Sequence, residues 1–117
     1  MRTSTRPVNS SLKNQLDKTF VQLISDLKDT KEIEAFLADF FNQSELETFT
    51  KRLAVAYYLH KNRSYNNIKE NLKVSSATIA TMQDSINKQG IRLALKMVEA
   101  EEWANQWSEK IRNIVRK

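Results

Sequence analysis

The spacing of apolar residues along the chain predicts a succession of helices. Apolar side chains recur every three or four residues from Ser11 to about Leu27, which indicates a first amphipathic helix. Thr30 is a suitable N-cap for a second helix, because its hydroxyl can accept a hydrogen bond from a backbone N–H of the first turn. The apolar positions of these two helices are Leu12, Leu16, Phe20, Leu23 and Leu27, then Ile33, Phe36, Leu37, Phe40 and Phe41.

A third helix is predicted from Ser44 to about Lys61. Ser44 followed by Glu47 is a capping box, in which both side chains satisfy backbone N–H groups at the start of the helix. Its apolar positions are Leu46, Phe49, Leu53, Val55, Ala56 and Leu59. We expect Phe49 and the phenylalanines of the second helix to lie in the core.

The last helix is predicted from Ile91 to Lys117, after a break at Gln89–Gly90 and with a candidate interruption near Ala100. A stripe at helical spacing follows that point, formed by Trp103, Trp107, Ile111 and Ile114. Such a stripe favours core packing, most simply across a dimer, over base stacking or a ligand box.

Between the third and last helices the pattern changes to two short helices. Ser64 caps the first, which ends near Leu72; Lys73, Val74 and Ser75 form a tight turn, and Ser75 or Ser76 caps the second. Two short helices joined by a three-residue turn are typical of a DNA-binding helix-turn-helix, here spanning residues 64–82. The residues that would lock the pair are Ile68, Leu72, Val74 and Ile79.

Composition agrees with an all-α chain of one domain. One Gly and one Pro in 117 residues leave few of the residues that β-hairpins need. Cysteine is absent, which excludes disulfides and thiol chemistry, and we expect a cytoplasmic protein. There is neither a secretory signal nor an apolar run near the ~20 residues that a membrane span requires, so no membrane partner is expected.

The net charge of +5 is unevenly distributed. Residues 15–50 carry three basic and eight acidic groups, whereas residues 51–75 carry six basic and one acidic. The basic block surrounds the helix-turn-helix and could contact a polyanion. Its candidate phosphate contacts are Lys51, Arg52, Lys61, Arg63, Lys69 and Lys73.

The second short helix is composed of small and hydroxyl residues. Such side chains let a helix lie deep in a major groove, where Ser and Thr can bond bases or phosphates and Ala can contact a thymine methyl. Two features leave another reading open, a helical protein-interaction module without DNA binding. Lys73 stands where many such turns have glycine, and no Arg, Asn or Gln precedes Gln83 to read a base in bidentate fashion.

Three runs of residues together resemble the Trp-repressor-like proteins of the YerC/YecD type. They are Lys51-Arg52-Leu53-Ala54-Val55-Ala56-Tyr57-Tyr58-Leu59, then Ser64-Tyr65-Asn66-Asn67-Ile68, then Ser76-Ala77-Thr78-Ile79. The resemblance extends over roughly residues 16–95 and implies an intertwined six-helix dimer with helix-turn-helix heads. It implies double-stranded DNA and a second copy of the chain as partners. It also implies that Lys69, Ser76, Ala77, Thr78, Ala80 and Thr81 face DNA, beside the candidates Lys51, Arg63, Lys73 and Ser75.

The resemblance also locates an effector pocket, and the chain departs from the family there. The Trp repressor has an Arg-Gly pair shortly after Ala-Thr-Ile, where this chain has Thr81 and Met82; Arg52 matches the other pocket arginine. We therefore expect that L-tryptophan is not the corepressor, while another small anion stays a candidate effector. No cofactor is expected.

The remaining chemistry of the sequence is sparse. His60 has no second histidine or carboxylate at ligand spacing, so we expect no metal site. No catalytic constellation or glycine-rich phosphate loop is present, so we expect no enzyme. The sequence predicts a basic disordered arm over 1–10, a helix-turn-helix domain over 11–97 and a helical extension over 98–117. The predicted function is that of a sequence-specific transcriptional regulator, a repressor acting as a homodimer.

Overall fold

The computed structural model of the chain describes the backbone of residues 6–115 and the side chains of residues 6–102 and 105. It confirms the all-α prediction, since the described residues form helices and no strand. The six helices are α1 Ser10–Asp26, α2 Thr30–Phe40, α3 Gln43–His60, α4 Tyr65–Leu72, α5 Ser76–Ser85 and α6 Gln89–Val115. The chain divides into two compact units, residues 1–43 and 44–117. Part of the predicted N-terminal arm, residues 1–5, lies outside the described residues.

The first unit consists of two helices with side-chain N-caps. Asn9 caps α1 by accepting from the Leu12 N–H at 2.8 Å. The predicted cap of α2 was wrong by one residue: Asp29 accepts from the Lys31 N–H, and Thr30 is the first helical residue. Four phenylalanines cluster with ring centroids 4.9–6.5 Å apart, namely Phe20, Phe36, Phe40 and Phe41. Neither helix of this unit contains a buried residue.

The second unit has the apolar core. It is formed by residues from four helices: Val55, Ala56, Ile68, Ile79, Met82 and Leu95. Ile68 of α4 and Ile79 of α5 are fully buried, and Leu72 and Val74 pack against the same cluster, so all four residues predicted to lock the two short helices contribute to it. This core therefore fixes the helix-turn-helix to α3 and α6.

The helix-turn-helix has the predicted caps and turn. The Ser64 hydroxyl accepts from the Asn67 N–H at 3.2 Å, and the Ser75 hydroxyl accepts from the Thr78 N–H at 3.1 Å. Ser75, not Ser76, is thus the cap of α5. Lys73 has φ 54° and ψ 52°, the left-handed conformation in which glycine is usual. The turn therefore tolerates a strained non-glycine residue.

Three boundaries differ from prediction. The capping box at Ser44 is wrong because α3 already begins at Gln43, which places Ser44 inside the first turn. The break predicted at Gln89–Gly90 lies at residues 86–88 instead, and Gly90 is helical. No interruption occurs near Ala100, since α6 is continuous from Gln89 to Val115.

Among the described residues, the predicted aromatic core is not fully buried. Phe40 is 59% exposed and Phe49 is 44% exposed, while Phe36 and Phe41 are half-buried. Each of these side chains therefore keeps part of its surface exposed in the part of the chain that the structure describes. The stripe of Trp103, Trp107, Ile111 and Ile114 lies outside the residues whose side chains are described.

Membrane insertion has no candidate among the described helices. None of them combines the length and the apolar character that crossing a bilayer requires.

The two adjacent serines at the start of α5 provide a test of the cap. Ser75→Ala removes the hydroxyl that accepts from the Thr78 N–H, so we expect the free energy of unfolding to fall by about 1 kcal/mol. Ser76→Ala is the matched control, because Ser76 is the first helical residue and its hydroxyl accepts from the exposed Lys69 Nζ instead of capping a backbone N–H. Chemical denaturation measures both; equal losses would contradict the assignment of Ser75 as the cap.

Candidate nucleic-acid interface

Helix α5 has one face in the core and one face exposed. Ile79 and Met82 are buried, and Thr78 is partly buried at the edge. The exposed residues among the predicted DNA contacts of this helix and its cap are Ser75, Ser76, Ala77, Ala80 and Thr81. The predicted contacts therefore share one surface.

Most hydroxyl groups of that surface already have intramolecular partners. The Ser75 hydroxyl caps the helix and lies 3.0 Å from the Thr78 hydroxyl. The Thr81 hydroxyl donates to the Ala77 carbonyl at 2.9 Å, so its only proton is engaged within the helix. A partner that approaches this surface would therefore meet methyl groups and hydroxyl oxygens that can accept hydrogen bonds, and few hydroxyl protons that are free to donate.

The cations around the helix-turn-helix differ in how they are held. Lys69 Nζ donates to the Ser76 hydroxyl at 3.3 Å, which connects α4 to the first residue of α5. The Arg63 guanidinium lies 4.5 Å from the centroid of the Tyr58 ring and donates to Asn67 at 3.3 Å. Within the part of the chain that the structure describes, the ammonium of Lys73 has no hydrogen bond or ion pair. Lys73 is thus the most available of these cations.

Lys51 and Lys61 have partners, one at i,i+4 spacing on α3 and the others distant in sequence. Lys51 Nζ lies 3.0 Å from a Glu47 carboxylate oxygen and donates to the Lys73 carbonyl at 3.3 Å. Lys61 Nζ is paired with Glu99 at 3.5 Å and with Glu102 at 3.9 Å. Glu99 and Glu102 lie on α6, so Lys61 contributes to an ion-pair group between α3 and α6.

His60 belongs to the same group of charges. Its Nε2 lies 3.3 Å from a Glu99 carboxylate oxygen. The hydrogen bond with His60, together with the positive charge of Lys61, lowers the pKa of Glu99 below its ordinary value. His60 also lines an open hollow of about 490 Å³ beside α6, with Arg92, Lys96 and Glu99 among the other residues. Among the described residues no group of three His, Asp or Glu side chains could hold a metal ion.

The residues predicted as an effector pocket do line one cavity. Arg52, Thr81 and Met82, with Ala77 and Thr78, surround a space of about 150 Å³. That volume is well below the roughly 300–1,000 Å³ of typical small-molecule sites. Met82 is only 6% exposed and belongs to the core, so it fills space that a ligand would need.

Comparison with known proteins agrees with this architecture. Residues 14–99 match the profile of the family described as Trp repressor protein. The chain is 32% identical over 73 residues to the uncharacterized protein YerC of Bacillus subtilis (strain 168), a match that covers 62% of this chain and 69% of that protein. No solved structure matches the chain significantly. With a helix-turn-helix among its described helices and this family match, the chain is a YerC-type member of the Trp repressor family.

Proposed function

We propose that the protein is a sequence-specific DNA-binding transcriptional regulator, a repressor that acts as a homodimer. Membership of the Trp repressor family already suggests a helix-turn-helix regulator that binds DNA. The observation on which the proposal mainly rests is the exposed face of α5, whose small residues follow a capped N-terminus. Beside it lies Lys73, whose ammonium has no partner among the described residues.

Phosphate contacts would come from the turn and the start of α5. The N-terminus of a helix attracts anions through its unpaired N–H groups and its dipole. Lys73 lies two residues before the cap residue Ser75, and Lys69 bonds to the first helical residue, Ser76. These groups fit a DNA strand whose phosphates approach the beginning of α5.

Base recognition would use short side chains and bridging water. Ala77 and Ala80 can contact thymine methyl groups, and the hydroxyl of Ser76 can bond a base edge or a water molecule. No long bidentate reader precedes Gln83 in α5, which favours water-mediated recognition over direct readout at the start of the helix. The alternative, an interaction module that binds no DNA, uses the same exposed face but predicts no response to salt.

Dimerisation is supported by the apolar surface that one chain leaves exposed. Leu16 of α1 is 54% exposed and Met97 of α6 is 64% exposed, in addition to Phe40 of α2. Surfaces of this kind on several helices mark interfaces rather than the solvated surface of a monomer. We propose that a second copy of the chain covers them.

We further propose the division into a 1–10 arm, an 11–97 domain and a 98–117 extension. The family match ends at residue 99, close to the proposed boundary. Helix α6 crosses that boundary without a break, so the extension would be a continuation of the domain's last helix.

Sedimentation at micromolar concentration tests the dimer. We expect a mass twice the 13.6 kDa of one chain. Leu16→Glu places a charge on the exposed apolar face of α1 and should shift the equilibrium towards monomer, because burying an unpaired charge is costly. Gln15→Glu, a neighbouring exposed position, is the matched control. A folded wild-type monomer at this concentration would refute the dimer.

Salt-titrated DNA binding tests whether the helix-turn-helix contacts DNA phosphates. Lys73→Met should weaken binding to all duplexes alike and reduce the magnitude of the slope of log K against log salt by about 0.9, the value for one lost phosphate contact. Lys31→Met, in α2, should leave the slope unchanged. Substitutions of Ser76 or Ala77 should instead change which sequences a random-duplex selection recovers. A wild-type slope near zero would favour the interaction module.

Calorimetry tests whether the protein binds L-tryptophan as an effector. We expect no saturable heat with millimolar L-tryptophan, because the cavity is small and Thr81 donates its proton to Ala77. One missing charge-assisted hydrogen bond costs about 1.5–3 kcal/mol, or roughly ten- to a hundredfold in affinity. Thr81→Arg, which supplies a guanidinium at this position, is the comparison variant and should bind better than wild type. Micromolar binding by the wild type would contradict the expectation.

A further inference from the structure

The turn between α4 and α5 has a tertiary hydrogen bond from another helix. Lys51 lies on α3, 22 residues before Lys73 in the sequence, and its Nζ donates to the Lys73 carbonyl at 3.3 Å. The side chain of Lys51 is 34% exposed, against 66% for Lys13, which forms a comparable ion pair on α1. Lys51 is therefore the more enclosed lysine of the two.

The residue that accepts this bond is the one that strains the turn. Lys73 is left-handed, a conformation that brings the Cβ of an L-residue close to the following carbonyl oxygen. Its own N–H is satisfied by the Lys69 carbonyl at 3.0 Å, as in a normal helix end. The Lys73 carbonyl, in contrast, accepts a hydrogen bond from Lys51 Nζ of α3.

A positive charge at this point also suits the end of α4. The last carbonyls of a helix carry a partial negative charge, which a nearby cation stabilises. Glu47 holds the ammonium from the other side at 3.0 Å, and both Glu47 and Lys51 belong to the same face of α3. The ammonium is thus held between a carboxylate of α3 and the turn.

We propose that Lys51 is a positioning residue that locks the left-handed turn at Lys73 and so sets the direction of α5 from α3, instead of contacting a DNA phosphate. Whether Lys51 locks the turn does not depend on DNA binding. The effect of this lock on DNA affinity rests on the proposed function. Lys51 acts through the Lys73 carbonyl and needs no direct contact with the nucleic acid.

Amide hydrogen exchange of the full-length protein tests the lock. Lys51→Met keeps the aliphatic stem and removes the donor, so exchange of the Lys73 N–H should become about threefold to tenfold faster, the value of one net hydrogen bond. The Ile68 N–H, which bonds to the Ser64 carbonyl at the other end of α4, should change much less. Lys51→Arg retains a donor and should restore slow exchange.

Glu47→Gln separates the turn contact from the ion pair on α3. It removes the carboxylate charge but leaves the Lys51 ammonium free to bond to Lys73, so exchange at Lys73 should stay near the wild-type rate. If Glu47→Gln reproduced the full effect of Lys51→Met, the effect would come from α3 alone, and the lock would be refuted. Unchanged exchange at Lys73 in Lys51→Met would refute it as well.

DNA binding distinguishes positioning from phosphate contact. Lys51→Met should lower affinity while leaving the slope of log K against log salt unchanged. Lys73→Gly removes both the strain and the phosphate contact of Lys73 but keeps the carbonyl. It should lower affinity by itself and make the remaining affinity insensitive to a further Lys51→Met change. A slope reduced by about 0.9 in Lys51→Met, with unchanged exchange, would make Lys51 a phosphate contact. Should wild type bind no DNA, the proposed function fails, and the exchange data still decide the lock.

Discussion

The left-handed turn at Lys73 is the constraint on which the arrangement of the second unit depends. That backbone reversal places Ile68 of α4 and Ile79 of α5 in one core with Val55 and Leu95. Each isoleucine is fully buried, and truncating such a residue to alanine typically costs 2–5 kcal/mol. The packing thus outweighs the strain of about 1–2 kcal/mol at one left-handed residue. Because packing of the two isoleucines outweighs the strain at Lys73, α5 keeps the orientation that leaves its other face exposed.

The two units differ in how far one chain can stabilise them. The second unit encloses a core of its own, whereas the two helices of the first have an aromatic cluster but no buried residue. Stacking between Phe36 and Phe40, 4.9 Å apart, orients the rings but does not remove them from water. Among the described residues, apolar side chains are therefore less well buried in the first unit than in the second.

The parts of the fold that local rules determine were predictable from sequence. Ser64 and Ser75 act on N–H groups three residues later, so their role as caps follows from short-range spacing alone. The same reasoning failed at Ser44, because a capping box indicates a helix start only within a residue or two, and α3 begins at Gln43. Periodicity correctly identified apolar faces, but it could not show that Phe40 stays exposed in one chain, since period does not reveal what covers a face.

The candidate interface was predictable as a set of residues but not as a set of contacts. Small and hydroxyl residues on α5 were recognisable by their spacing. The bond of Lys51 to Lys73 joins residues distant in sequence, and no local pattern encodes it. The same holds for Lys61, which the charge distribution suggested as a phosphate contact and which pairs with Glu99 and Glu102 of α6. The sequence shows where the cationic residues are, but only the tertiary structure shows which of them already have ion-pair partners.

The internal hydrogen bonds of the exposed α5 face have a thermodynamic consequence. Ala77 and Ala80 have no side-chain rotamers to lose, and the Thr81 hydroxyl is already oriented by the Ala77 carbonyl. A long cationic or amide side chain would give up as much as 1.5–2 kcal/mol of rotamer entropy when immobilised. A partner that docks on this face thus contacts a preorganised surface, and the conformational entropy lost on association comes mainly from the partner and from the lysines at the edge.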